Sequence, residues 1–203
     1  MDLRACLLNC TLKPSPAASS TDAMLGLFRE GLTSQGVTVG DTLRIVDHRV
    51  APGVSHDEGG GDEWPSIEEQ ILAAQILVFG TPIWVGHPAS TAQRVVERLD
   101  AFISETDDRG QMPTADRVAL VAVVGNEDGA HHVGAELYQA LADVGFTIPA
   151  NGQAYWVGPA MGSTDFQDLD EVPDKVRSTA STAVANGVHL ARLLAGEPYP
   201  AVG

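Results

Sequence analysis

Small hydroxyl side chains are concentrated in one short stretch, LNCTLKPSPAASSTD at residues 8–22, between an apolar run and a helical pattern. A helix N-terminus carries unpaired backbone N–H groups and the positive end of the helix dipole, so a phosphate fits beside it. We expect hydroxyl donors and one positive charge here, from Thr11, Ser19, Ser20, Thr21 and Lys13. The alternative is an ordinary N-capped helix after a polar loop.

A second stretch, GTPIWVGHP at residues 80–88, follows a strongly apolar run. Pro82, Ile83 and Trp84 come directly after a predicted buried strand, where a core residue is no longer needed. A rigid start, an apolar side chain and an indole make a flat platform, which suits a planar heteroaromatic ring by stacking and by hydrogen bonds to its edge. Alternatively, Trp84 packs against a loop or a second subunit.

A third stretch, GNEDGAHHV at residues 125–133, places two glycines around three polar residues. Glycine lets a backbone approach a ligand closely. His131 and His132 then begin a predicted helix close to two acidic residues, which raises the question of a metal ion. Adjacent helical residues do not face one another, and we identify neither an HExxH motif nor a histidine–carboxylate spacing. We therefore expect hydrogen-bonded or solvated histidines and no metal.

Five predicted strands position these three stretches. They cover residues 3–8, 37–47, 74–80, 117–125 and 145–158, the last interrupted by Pro149 and Gly152. Helical patterns follow them, beginning near Ser19, near Ser66, after the HPAS segment, near Ala130 and near Pro173. At least three strands are apolar on both faces, which predicts a parallel sheet covered by helices on each side. Ligands of such sheets bind outside the carboxyl ends of the strands, where the strand order reverses, so the three turns should form one site.

Composition excludes several classes of function. The 203 residues carry 27 acidic and 12 basic side chains, a formal net charge of −15, so we expect neither nucleic-acid nor membrane binding. No apolar run approaches about 20 residues, and the first ten residues have too short an apolar core for a secretion signal. We expect Cys6 and Cys10 to be unlinked thiols in a reducing compartment, which predicts a cytoplasmic protein.

The three turns together resemble those of the flavodoxin-like NAD(P)H-dependent FMN reductases. The similarity includes the hydroxyl-rich first loop, GTPIWVGHPAS with the ERLD segment that follows it at residues 97–100, and GNEDGAHHV. It continues to YWVGPAMG and the last predicted helix, although the first loop reads NCTLK where a Gly-Ser-x-Arg start is commoner. The resemblance implies an α/β fold: one flavodoxin-like, FMN-binding domain over residues 1–203, with a doubly wound five-stranded parallel sheet and helices on both faces.

The resemblance also implies roles for the turns. The FMN phosphate would be held by Thr11, Ser19, Ser20 and Thr21, with Lys13 beside it. The residues along the isoalloxazine ring would be Pro82, Ile83, Trp84 and Gly86. The other edge of the ring would be closed by Gly125, Asn126, Glu127, Asp128 and Gly129.

The expected activity is hydride transfer from NAD(P)H to FMN, then electron transfer to a flavin, a quinone or a similar small-molecule oxidant. We nominate no catalytic acid or base, and we expect a homodimer or homotetramer. The alternative is a flavodoxin-type electron carrier, whose acidic surface would dock on redox partners. The loop at residues 51–65 and the chain after residue 150 favour the enzyme, because we expect them to build an active-site wall.

Overall fold

A single sheet dominates the computed structural model, which describes residues 2–160 and 162–202. Six strands are present in the described chain: β1 (Arg4–Asn9), β2 (Thr38–Arg44), β3 (Ile76–Trp84), β4 (His87–Pro88), β5 (Val118–Gly125) and β6 (Gln153–Val157). The α-helices are α1 (Ser20–Ser34), α2 (Trp64–Leu72), α3 (Ser90–Leu99), α4 (Ala130–Asp143) and α5 (Asp174–Gly196). Strands and helices alternate along the chain, as the hydrophobic pattern predicted.

Five of the strands form a parallel sheet in the order β2-β1-β3-β5-β6, and β4 pairs with β3 as a short antiparallel hairpin. The chain moves outward from β1 to β2 and then returns to the other side of β1, so the strand order reverses between β1 and β3. Sheets of this type bind ligands at that point. The predicted α/β class and the doubly wound parallel sheet are confirmed.

Two apolar layers hold the helices on opposite faces of the sheet. On one face, α1 and α5 contribute Phe28 and Val184 to a cluster with strand residues such as Val78. On the other face, α2, α3 and α4 bury side chains such as Trp64 and Val95 against the sheet. Strand β5 is buried at every position except its last, which explains its continuous apolar sequence.

Several element boundaries differ from the predicted ones. The second strand ends at Arg44, and residues 45–47 form a 3₁₀ turn. Helix α2 begins two residues before Ser66, at Trp64, because Pro65 fits the first turn of a helix. The segment at residues 145–158 pairs regularly only from Gln153 onward, with one isolated bridge between Thr147 and Val118.

Strand β3 extends to Trp84, four residues beyond its predicted end at Gly80. The pairing of Trp84 with His87 makes residues 85–86 a two-residue hairpin loop, in which Val85 and Gly86 have φ values of 53° and 77°. Positive φ at both central residues is the requirement of a type I′ hairpin turn. Trp84 therefore belongs to a strand end rather than to a turn.

The loop between Asp47 and α2 is irregular, but it is anchored to the rest of the fold. Arg98 of α3 is fully buried and forms an ion pair with Asp62, with 2.6 Å between Nη1 and Oδ2. Burial tends to raise the pKa of the Asp62 carboxyl, but N–H donors from Glu58, Ala51, Arg98 and Trp64 outweigh it and lower the pKa to about 2. The loop is thus held against α3.

Within the described residues, no helix combines the length and apolar character needed to cross a membrane. Cys6 and Cys10 are free thiols, and both are buried.

Candidate functional site

A cavity of about 490 Å³ lies at the carboxyl ends of β1, β3 and β5, beside the point where the strand order reverses. The first loop and the start of α1 provide Thr11, Leu12, Lys13, Ser19, Ser20 and Thr21. The other strand ends provide Pro82, Ile83, Trp84, Val85, Val124, Gly125, Asn126 and Glu127. The chain from β6 onward adds Trp156, Gly162, Asp165 and Phe166. The three predicted turns therefore do meet.

Hydrogen bonds within the first loop fix its path at the end of β1. Asn9 Oδ1 accepts the backbone N–H of Thr11 at 3.0 Å, and Thr11 Oγ1 accepts that of Lys13 at 3.3 Å. Arg44, at the end of β2, donates to the carbonyl oxygens of Lys13 at 3.3 Å and Ala17 at 2.8 Å. Arg44 was not predicted, because nothing in the sequence indicates that the end of β2 returns to this loop.

The N-terminus of α1 opens into the cavity. Ser19 is the N-cap residue, and its Oγ accepts the backbone N–H of Asp22 at 3.3 Å, so the capped-helix alternative is confirmed for this side chain. Capping uses the lone pairs of Ser19 and leaves its O–H available to donate. The backbone N–H groups of Ser20 and Thr21, at the first two helical positions, have no acceptor within the helix. Capping and anion binding are therefore compatible here.

The opposite wall of the cavity is apolar. Ile83 is buried, whereas the Trp84 side chain is 53% exposed at the cavity mouth. The backbone N–H of Val85 donates to Glu127 Oε1 at 2.6 Å, which joins the hairpin to the turn after β5. A Cβ atom at Gly125 would lie 2.9 Å from the Cβ of Ile83, so only glycine allows these two strand ends to approach so closely.

The segment after β6 closes the cavity and was only partly foreseen. Asp165 accepts a hydrogen bond from Asn126 Nδ2 at 2.8 Å and lies 3.8 Å from Lys13 Nζ, so it connects the first and third turns. Trp156 and Phe166 pack together with ring centroids 5.5 Å apart. The chain after residue 150 does build a wall, as expected. Among the described residues, none from the loop at 51–65 lines the cavity, so that part of the expectation was wrong.

Three predicted site residues lie outside this cavity. Gly86, Asp128 and Gly129 line an adjacent recess of about 540 Å³, together with Ala130, His131, His132, Tyr155 and Val157. The reason is a close backbone contact: a Cβ atom at Gly129 would lie 2.9 Å from the Cα of Gly86. The two glycine turns pack against one another and face away from the cavity. Their contact with the isoalloxazine ring stays a prediction.

His131 is hydrogen-bonded, as expected, and His132 lies in close contact with a carboxylate. His131 Nε2 lies 3.1 Å from the Tyr155 hydroxyl, and His132 Nε2 lies 2.6 Å from Glu136 Oε1. The expectation that no histidine–carboxylate spacing is present was wrong. His132 and Glu136 are four residues apart and share one face of α4, so the carboxylate that His132 contacts comes after it in the sequence.

The donors at the α1 N-terminus and the apolar far wall match the two halves of a flavin mononucleotide. Asn126 is one of the lining residues, and its Oδ1 atom is buried without a hydrogen-bond partner among the described residues. A doubly wound sheet with strand order β2-β1-β3-β5-β6 and a cavity where that order reverses is the arrangement of the flavodoxin-like flavoproteins. The sequence profile of the NADPH-dependent FMN reductases matches residues 5–160, so the chain belongs to that family.

Two relatives extend the comparison. The 8-demethyl-8-aminoriboflavin-5'-phosphate synthase of Streptomyces davaonensis is 32% identical over 209 aligned positions, which cover 98% of this chain and 81% of the synthase. The divalent metal cation transporter MntH of Mycobacterium bovis is 41% identical over 174 positions, or 82% of this chain. The chain spans only 25% of that transporter's length.

Solved structures give the same fold. RosB with bound 8-demethyl-8-formylriboflavin-5'-phosphate superimposes with a TM-score of 0.87 and 32% identity, covering 97% of this chain and 82% of RosB. An archaeal flavodoxin superimposes with a TM-score of 0.60 at 9% identity, covering 94% of this chain and 99% of the flavodoxin. The flavodoxin comparison concerns the fold alone.

Proposed function

We propose that this chain is an NAD(P)H-dependent enzyme that uses FMN to pass electrons to a small acceptor such as a free flavin or a quinone. The observation that carries the proposal is the composition of one cavity. Free helix N–H groups and hydroxyls lie at one end, and an apolar, partly exposed indole wall lies at the other. Family membership supports it further.

The phosphate of FMN would lie at the N-terminus of α1. The backbone N–H groups of Ser20 and Thr21 point out of the helix end, and the hydroxyls of Thr11 and Ser19 line the same space. These donors, together with the helix dipole, favour an anion. Lys13 Nζ adds one positive charge, which Asp165 at 3.8 Å partly offsets.

The isoalloxazine ring would lie between the ends of β3 and β5. Pro82, Ile83 and Trp84 supply apolar contact on one side. On the other side, the end of β5 supplies Gly125, Asn126 and Glu127, and Gly125 lets this strand end approach Ile83 closely. Gly86, Asp128 and Gly129 would then support these walls from behind.

Bound FMN would supply the redox chemistry, accepting a hydride equivalent from NAD(P)H and returning electrons to the oxidant. The residues of the chain bind the phosphate, orient the ring and limit the access of water. The ionisable side chains among the described lining residues are Lys13, Glu127 and Asp165, and each already has a polar partner. Burial raises the pKa of the Cys6 thiol to about 12 and raises that of Cys10, so neither thiol is a reactive nucleophile.

Two measurements test this function. Cofactor released by heat and identified by chromatography should be FMN, because the cavity offers one phosphate site at one helix N-terminus; stoichiometric FAD would contradict the assignment. The purified protein should then oxidise NADH or NADPH in the presence of a quinone without any added protein. If flavin is bound but no nicotinamide is oxidised, the electron-carrier alternative is favoured.

A second candidate function treats the flavin phosphate as substrate. The specific observation is the 32% identity to a named synthase of 8-demethyl-8-aminoriboflavin-5'-phosphate, together with the RosB structure that holds a flavin phosphate intermediate. Mass spectrometry of the flavin after aerobic turnover distinguishes the two candidates. A reductase returns FMN of unchanged mass, whereas a flavin-modifying enzyme returns FMN altered on its ring.

We also propose that the chain works as a homodimer or homotetramer. Trp84 and Val85 are 53% and 85% exposed at the cavity mouth, an unusual place for large apolar side chains that face only water. Light scattering on the purified protein measures the assembly directly. A monomer at micromolar concentration would contradict the proposal and would leave these side chains available to substrates.

A further inference from the structure

Three side chains meet at the rim of the molecule, outside the proposed flavin cavity. His87 lies in β4, and His132 and Glu136 lie one helical turn apart on α4. We propose that they form a binding site for a divalent transition-metal ion of the zinc type. The site does not depend on the proposed reductase function, because no flavin contact enters the argument.

The ligand atoms already converge. His87 Nδ1 and His132 Nε2 approach the same oxygen, Glu136 Oε1, at 2.9 Å and 2.6 Å. One ligand atom from each residue lies within 4.8 Å of the other two. The two imidazole rings meet edge to face, with centroids 5.0 Å apart and an interplanar angle of 75°, so both nitrogens reach one point without a steric clash.

Only small movements would turn this cluster into a coordination sphere. Zinc binds nitrogen and oxygen ligands at about 2.0–2.2 Å, which places tetrahedral ligand atoms about 3.4 Å apart. The two short contacts must therefore lengthen by less than about 1 Å. His87, His132 and Glu136 have side-chain exposures of 62%, 56% and 35%, so their outer atoms are free to make that adjustment.

The donor types select the kind of ion. Two imidazoles and one carboxylate suit zinc and its neighbours in the first transition series, whereas magnesium and calcium prefer sets made of oxygen atoms alone. Three protein ligands also leave at least one position for water. His132 borders the 540 Å³ recess, which provides the space for such a ligand.

The other hydrogen-bonded histidines of the described chain do not offer the same arrangement. His56 contacts two carboxylates, but it uses opposite ring nitrogens, Nδ1 for Glu68 at 2.9 Å and Nε2 for Glu105 at 3.1 Å. Its two acidic partners therefore cannot share one ion with it. His131, the sequence neighbour of His132, contacts the Tyr155 hydroxyl and serves as a matched control.

An ion at this site would join two chain segments that wall the flavin cavity. His87 directly follows the hairpin loop at residues 85–86, and His132 lies in the first turn of α4. The same segments are already connected by the Val85–Glu127 hydrogen bond and by the contact of Gly129 with Gly86. Metal binding would therefore hold the hairpin, including Trp84, against the start of α4.

The test is a calorimetric titration of untagged, chelator-treated, FMN-loaded protein with zinc chloride at neutral pH. We expect one zinc ion per chain at this site. Affinity should fall at least about tenfold in His87→Ala, His132→Ala and Glu136→Gln, because even the hydrogen-bond partners of metal ligands commonly contribute 10–100-fold. His131→Ala should bind as the wild type does. Magnesium should not compete at equal concentration.

Thermal unfolding gives an independent readout. Zinc should raise the melting temperature of the wild type and of His131→Ala, but not that of the three ligand variants. Without zinc, all five proteins should melt alike, since the substituted side chains are exposed or partly exposed. A histidine variant that does not is replaced by a longer polar substitution, His87→Gln or His132→Gln. Equal zinc affinity in the wild type and the ligand variants would overturn the proposal, and so would displacement of zinc by magnesium.

Discussion

The two ends of the proposed flavin cavity are built on different principles. At the first loop, polar groups are anchored to one another: Asn9, Thr11 and Arg44 fix the backbone that leads to α1. At the hairpin end, Trp84 and Val85 are exposed, and the Val85–Glu127 hydrogen bond is the main polar link between the two walls. In the proposed function, the first end retains an anion and the second leaves a ring face accessible. Substitutions at the first end should therefore change FMN affinity, and substitutions at the second should change the rate of flavin reduction.

Substitution of Ser20 should have the largest effect. Ser20→Asp places a carboxylate beside the proposed phosphate and should abolish measurable FMN binding, whereas Ser20→Ala removes a single hydroxyl and should cost about 1.5–3 kcal/mol of affinity. Fluorescence titration of the apoprotein with FMN measures both. Ser90, the first residue of α3, has the same helical position outside the cavity, so Ser90→Ala and Ser90→Asp are the controls. Unchanged FMN affinity in both Ser20 variants would favour the alternative, in which this stretch is an ordinary N-capped helix after a polar loop.

Removal of the indole tests the other end. Trp84→Ala should slow flavin reduction by NADPH about tenfold or more, because a missing wall permits poses in which the hydride donor is misplaced. Thermal stability should change little, since about half of the residue's surface is already exposed. Stopped-flow absorbance at the flavin band gives the rate.

Tyr155→Ala is the matched control for Trp84→Ala, because Tyr155 is an exposed aromatic residue of the neighbouring recess. If Trp84→Ala reduces at the wild-type rate, Trp84 belongs to a subunit interface. If it unfolds, the residue belongs to the core, and the site has been placed wrongly.

Loss of Arg44 should affect binding without affecting the rate of reduction. Arg44→Ala removes the donor to two loop carbonyls and should weaken FMN binding about tenfold, while reduction at saturating FMN stays unchanged. Arg29→Ala is the control, because the Arg29 side chain also donates to residues of β2, Gly40 and Thr42, but lies away from the cavity. Equal FMN affinity in the two variants would show that the loop keeps its shape without Arg44.

The smallest effect concerns the hairpin itself. Val85 has a φ of 53°, a conformation that is costly for a β-branched residue and readily adopted by asparagine. Val85→Asn should therefore stabilise the protein by about 1 kcal/mol, or roughly 2–4 °C in melting temperature. Val54→Asn, at another exposed valine, should change little. A lower melting temperature for Val85→Asn would show that the valine side chain makes a contact worth more than the strain.

The features that could be predicted from the sequence are those that depend on residues close together in the chain. Continuous apolar runs predicted β3 and β5, and serines ahead of a helical pattern predicted the open end of α1. Asp165 and Phe166 gave no local signal, since they reach the cavity only after the chain has passed through every strand of the sheet. Glycines at positions 86 and 129 indicated close backbone approach, but the approach is to each other, and no pattern within one turn specifies that partner.

In the proposed reaction, the charge around the cavity has a consequence for diffusion. Lys13 is the one basic side chain among the described lining residues, Asp165 lies 3.8 Å from it, and Glu127 also lines the cavity. The whole chain has a net charge of −15. An anionic dinucleotide therefore approaches against a repulsive field, whereas a neutral quinone does not. Salt shortens the range of that field to about 8 Å at physiological ionic strength. The association rate of the anionic dinucleotide should therefore rise with ionic strength, while that of a neutral quinone should stay constant. Ionic strength would thus determine which of the two half-reactions is limited by diffusion.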